Sequence, residues 1–149
     1  MIVKKPKFLT VKSVPKLFWS SPTALTISPP PISVLFLVTG LVLFGLGEAL
    51  LVASGAGVSP WTVLAQGLTQ VTSWSIGYST FIISLIVLVC WIPLRQVPGI
   101  GTILNAIIIA LVFEYILPIL PTFENPLLKI AEAILGVLVT GFGGALYLI

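Results

Sequence analysis

Histidine and aspartate are absent from this 149-residue chain, whose acidic residues are all glutamates: Glu48, Glu114, Glu124 and Glu132. Their absence excludes Ser-His-Asp triads, histidine-ligated metal centres and Asp-based phosphoryl chemistry. No nucleophile–base spacing can be built from Glu, Ser or Cys90, so the chain reads as no enzyme, with no cofactor and no metal expected. Cys90 is the single cysteine, which excludes an intramolecular disulfide. Charge of either sign is scarce, at 7% of residues against 58% hydrophobic, and the mean hydropathy is +1.21. A soluble domain of this length needs far more charge to cover its surface, so the composition is that of a membrane protein.

The little charge present is asymmetric. Five of the seven basic residues (Lys4, Lys5, Lys7, Lys12 and Lys16) precede the first apolar run. With no folded domain beneath them they do not form a nucleic-acid surface; they read as a cytoplasmic tail facing anionic lipid. Residues 1–31 are basic, then rich in Pro and Ser, and are expected to be disordered, with Phe18 and Trp19 at the headgroups. Four apolar stretches follow, at about 32–53, 76–94, 100–120 and 127–149, each close to the length that crosses a bilayer. The first contains Glu48 and exceeds a signal-peptide core, so it reads as an uncleaved span. The expected fold is therefore all-α, a polytopic membrane helix bundle of four spans in a bacterial plasma (inner) membrane. A cytoplasmic N-terminus returns Arg95 to the cytoplasm after two crossings, so one topology satisfies both basic sites.

Between the first two spans lies Ser54-Gly55-Ala56-Gly57-Val58-Ser59-Pro60-Trp61. Ser59 followed by Pro60 is a helix start, with the serine as cap and the proline in the first turn. The helix it opens, about 59–72, is too short to span. Trp61, Leu64, Leu68 and Val71 share one face, with Gln66, Thr69 and Gln70 elsewhere. Two placements stand: a helix resting on the headgroups, or one that re-enters the membrane.

Intramembrane carboxylates are costly enough to suggest function. Glu48, Glu114 and Glu132 each fall about five or six residues from the outer end of a span, which predicts a shared layer at a depth of roughly 8–9 Å. In the first span Gly40, Gly47 and Ser54 recur every seven residues. In the last, Lys129, Glu132, Gly136, Thr140, Gly143 and Tyr147 form a stripe. Small residues at such spacing mark close helix packing, here Gly40, Gly47, Gly136 and Gly143. Lys129 and Glu132, three apart, are also placed to neutralise one another. Pro118 cannot donate to the Glu114 carbonyl, which either frees that oxygen for a cation or kinks the helix. Gly45-Leu46-Gly47-Glu48-Ala49-Leu50 is echoed by Gly141-Phe142-Gly143-Gly144-Ala145-Leu146 in a span of opposite direction, the arrangement of an inverted repeat.

Three blocks carry a family resemblance: Gly57-Val58-Ser59-Pro60-Trp61-Thr62-Val63-Leu64-Ala65-Gln66-Gly67; Ser75-Ile76-Gly77; and Trp91-Ile92-Pro93-Leu94-Arg95-Gln96 with Pro98-Gly99-Ile100-Gly101-Thr102-Ile103-Leu104-Asn105. Over about residues 40–149 the chain resembles the bacterial YczE/YitT-like integral membrane proteins. The resemblance implies a multi-spanning inner-membrane protein of unassigned activity and supplies no catalytic residues. Such proteins commonly carry an acid after the Trp and a His before the Gln, where this chain has Thr62 and Ala65. The acid of their third span corresponds to Glu114, which favours that carboxylate over Glu48. They also continue past the position of Ile149, so a shortened or partial member is expected.

Two functions follow as expectations. In the first, the chain is a small-solute or ion transporter component, with Glu114 leading, Glu132 and Glu48 secondary, and Ser59 and Asn105 as polar ligands. Asn105 lies on the opposite side of its helix from Glu114, so one compact site does not easily hold both. In the second, it is a non-transporting accessory protein that uses its glycine faces to pack on a copy of itself or a partner membrane protein.

Overall fold

The computed structural model describes residues 29–148. The expected disorder and lipid contact of the lysine-rich tail lie outside these residues. The order of elements is α1 (Pro31–Ser54), α2 (Pro60–Thr72), α3 (Ile76–Trp91), α4 (Ile100–Tyr115), a single 3₁₀ turn (Leu117–Ile119) and α5 (Pro126–Tyr147), with no strand among the described residues.

Local chemistry sets the boundaries. Proline stands in the first turn of α1, α2 and α5, where its missing N–H would have no helical partner in any case. The Ser59, Ser75 and Asn125 side chains cap α2, α3 and α5, accepting from the backbone N–H groups of Thr62 (3.4 Å), Tyr78 (3.0 Å) and Leu127 (2.9 Å). Gly55, at φ 65°, ends α1 in the left-handed conformation and donates to the Val52 carbonyl at 3.2 Å. Near Pro118 the last regular bond of α4 runs from Ile116 N to Val112 O. The chain then tightens into the 3₁₀ turn, with Ile119 N bonding Ile116 O.

Three helical stretches are long and apolar enough to cross a membrane: α1, Ile100–Ile119 and α5. The expected second span, 76–94, is helical for 16 residues, a rise of about 24 Å. It becomes a fourth candidate when taken with α2, to which it is joined at a bend of 111°. Such a bend keeps α2 and α3 from running as one straight helix.

α1 is the central element. It packs on α5 and α4, while α3 packs on α4 and α2. α1 and α5 approach until backbone meets backbone. A Cβ on Gly40 would lie 2.9 Å from Gly143 O, and one on Gly136 would lie 2.9 Å from Gly47 O. Gly101 faces Leu37 and Gly45 faces Val112, which sets α4 parallel to α1. Gly77 meets Ala110 and Glu114, fastening α3 to α4. Ala49, Ile109 and Phe113 form the core between α1 and α4. Elsewhere the apolar side chains turn outward, among them Leu85, Ile86 and Val89 on α3 and Val137 and Leu138 on α5. That pattern suits lipid, in which association rests on close packing of small residues rather than on expelling water.

Candidate functional site

Glu48 is buried on α1, and its environment is built by the turn that follows the helix. Six residues beyond it, at Ser54–Gly55, the chain reverses. Ser59 is thereby folded back about 9 Å along α1, at 1.5 Å per residue. Its hydroxyl donates to Glu48 Oε2 at 2.7 Å, and the Thr62 hydroxyl donates to the same oxygen at 2.7 Å. The two hydroxyls also sit 3.0 Å from each other. One serine thus caps α2 and ties it to α1 through a charge-assisted bond.

Glu48 Oε1 accepts no hydrogen bond among the described residues. It belongs to a side chain lining a partly open cavity of about 230 Å³ between α1, α2, α3, α4 and the last turn of α5. The Thr80 hydroxyl is buried there without a partner, while the Ser84 hydroxyl is used by the Thr80 carbonyl at 2.8 Å. Asn105 and Tyr147 also line the cavity, and neither side chain makes a hydrogen bond among the described residues. Phe44, Trp61, Ile109 and Phe113 supply apolar wall, Phe44 meeting Tyr147 edge to face at 5.6 Å. Among the described residues no Lys or Arg lines the space. It offers one carboxylate, one amide and two hydroxyls for hydrogen bonding against aromatic surface.

The other carboxylates stand apart. Glu114 is exposed and accepts from the hydroxyl of Ser75, the cap of α3. It belongs to a shallower groove between α3 and α4, lined by Gly77, Tyr78, Phe81, Ile107, Ala110 and Leu111. Asn105, on the opposite side of α4, lines the same cavity as Glu48. Glu132 is 6% exposed and neither of its oxygens has a partner. Lys129 does not neutralise it.

The carboxylates do not form a single layer. The pairing of Gly45 with Val112 sets Glu48 and Glu114 level with each other. Gly47, however, opposes the stretch from Gly136 to Thr140, which sets Glu132 about five residues beyond Glu48, roughly 7–8 Å. The glycine contacts fix this register, whereas span ends counted from hydropathy do not. All four packing glycines, Gly40, Gly47, Gly136 and Gly143, lie in the α1–α5 contact.

Thr80 and Ser84 are not among the site residues expected from the sequence. A signal was present: Ser79, Thr80 and Ser84 are hydroxyl residues in an otherwise apolar helix, and all three are buried. On α2 the buried positions are Thr62 and Ala65, while Trp61, Val63, Leu64 and Val71 are exposed.

Comparison with known proteins bears on the whole described region. The family described as "Family of unknown function (DUF6198)" matches residues 32–149. An uncharacterized protein of Haemophilus influenzae is 38% identical over 138 residues, covering 93% of this chain and 62% of that protein. The uncharacterized membrane protein YczE of Bacillus subtilis is 32% identical over 117 residues, covering 75% of this chain and 53% of that protein. The chain thus spans less than two thirds of the length of either relative. No solved structure matches.

Proposed function

The chain belongs to the DUF6198 family and is a YczE-like membrane protein, and on that footing we propose that it is a component of a small-solute or ion transporter whose binding site is the Glu48 cavity. The observation that carries this reading is a buried carboxylate with one unpartnered oxygen on the lining of a partly open cavity in the bundle, a lining that also holds the Thr80 hydroxyl, the Asn105 amide and the Tyr147 hydroxyl, all without hydrogen-bond partners among the described residues. Buried polar groups are ordinarily satisfied, and those left open in a cavity are where a ligand's own groups fit.

The cavity also extends along the bundle. Asn105 and Phe113 are eight residues apart on α4, so its lining spans about 12 Å of helix. A site with length is suited to passing a solute along the bundle. The glycine faces that would serve an accessory role are occupied within the chain, α1 against α5, which favours the transport reading. In the membrane we place the lysine-rich N-terminus and Arg95 in the cytoplasm of the bacterial cell, with Glu124 outside.

The test is uptake of a panel of labelled small solutes and cations into proteoliposomes carrying the full chain. Filling the cavity with Thr80→Leu or Ser84→Leu should remove whatever uptake the unaltered protein shows. Uptake unchanged in both folded variants would remove the cavity from the pathway.

A further inference from the structure

We infer that the ligand of the Glu48 cavity is a small organic ammonium cation, an N–H-bearing head joined to an apolar group about the size of one aromatic ring. The inference rests on the reading of this cavity as a solute site and adds the ligand's chemical class.

Three features select that class. First, among the described residues Glu48 is the sole charged side chain on the lining, and no basic group there offsets it. Its Oε2 is already occupied by the Ser59 and Thr62 hydroxyls, which leaves Oε1 to accept from the ligand. An anion would meet this carboxylate with no compensating cation, so anionic solutes are disfavoured.

Second, the remaining open groups are acceptors or can act as such: Thr80 Oγ1, the Asn105 carbonyl oxygen and the Tyr147 hydroxyl. An ammonium head donates to Glu48 Oε1 and to the acceptor beside it, and does not need all of them to converge. A bare metal cation would want five or six oxygens drawn closely around it. Here Asn105 lies at the far end of a space whose walls between are aromatic, so the oxygens do not converge on one point.

Third, Phe44, Trp61, Phe113 and Tyr147 give four aromatic rings to one small space. Aromatic faces attract a cation and shelter its carbon skeleton. Size limits the skeleton: a dry cavity of about 150 Å³ holds benzene, so about 230 Å³ takes one ring and a short aminoalkyl arm.

The experiment is isothermal titration of the full chain in nanodiscs of zwitterionic lipid with three probes: benzylammonium, its neutral counterpart benzyl alcohol, and sodium ion. Empty nanodiscs give the blank for partition into lipid. Benzylammonium should bind, benzyl alcohol should bind at least tenfold more weakly, and Glu48→Gln should weaken benzylammonium on the order of ten- to a hundredfold. Glu114→Gln should leave it unchanged. Should Glu48→Gln lose its fold, Thr80→Val and Tyr147→Phe, each removing one hydroxyl from the lining, keep the proposal testable, and each should weaken benzylammonium alone. Benzyl alcohol binding as tightly as benzylammonium, with no effect of Glu48→Gln, would overturn the ammonium class while leaving the cavity as a solute site. Sodium alone binding in a Glu48-dependent way would overturn it in favour of an inorganic cation. If no probe binds and the Thr80→Leu variant also leaves uptake unaltered, both the class and the cavity reading fall.

Discussion

Replacing Gly47 by alanine should force α1 and α5 apart. An added Cβ would lie 2.6 Å from the Gly136 carbonyl oxygen, and it would also press on the backbone N and the hydroxyl of Thr140. Two of these three atoms are backbone and cannot turn away, so the helices must separate. Overpacking of this kind costs about 1–3 kcal/mol. Alanine returns about 0.5–1 kcal/mol by suiting the helix better than glycine. The net is a loss of up to about 2.5 kcal/mol, or as much as several degrees in Tm. Gly141→Ala and Gly67→Ala are internal controls: a Cβ at either meets nothing within 4 Å, so the helical gain alone should appear. Gly45→Ala should fall between, because its nearest neighbours are Val112 side-chain atoms at 3.1 Å and beyond. Heating in detergent followed by size-exclusion chromatography with fluorescence detection is a suitable assay. Cys90 is exposed, so a thiol dye would react before unfolding. If Gly47→Ala melts at or above the temperature of Gly141→Ala, the α1–α5 contact described above is wrong.

Other consequences are open to measurement. Thr62→Val should cost about 1–3 kcal/mol in thermal stability, because it leaves a buried carboxylate with one donor fewer. That loss should largely vanish in a Glu48→Gln background, and a loss that persists would separate the two residues. Ser59→Ala should destabilise more than Ser75→Ala. Both remove a cap worth about 1 kcal/mol, but Glu48 is buried and Glu114 is exposed; equal losses would show that Glu48 does not depend on Ser59. Gly55→Ala should cost about 1–2 kcal/mol despite open space around it, since φ is 65° there; an unchanged Tm would argue against the tight reversal after α1. In a Cys90→Ala background, an impermeant maleimide added to intact cells should label Glu124→Cys, and should reach Gln96→Cys once the membrane is opened. The opposite pattern would invert the proposed orientation.

The helix boundaries were legible because they are written in local chemistry. Ser59-Pro60, Asn125-Pro126 and Gly55 each act within a few residues, and the helices start or stop there. The rotation of each helix about its axis was less legible. α1 and α3 are apolar on nearly every side, so polarity does not tell which side faces protein. On α1 the heptad of Gly40, Gly47 and Ser54 does tell, because close approach requires small residues. On α3 the hydroxyls of Ser79, Thr80 and Ser84 would have told, had they been taken together. The candidate site was the least legible part. Nothing in the linear sequence brings Ser59 back to Glu48, eleven residues earlier, since that requires the reversal at Gly55. Depth counting therefore joined Glu48, Glu114 and Glu132, whereas packing puts the first in a cavity, the second in an open groove and the third without a partner.

The resemblance to relatives pointed to Glu114, and the geometry points to Glu48. A paired neutralisation decides between them: uptake into proteoliposomes by Glu48→Gln and by Glu114→Gln, each at matched folded protein, for any solute that the unaltered chain carries. The cavity account predicts uptake reduced at least tenfold in Glu48→Gln and little changed in Glu114→Gln. Uptake that survives in Glu48→Gln and is lost in Glu114→Gln would contradict it.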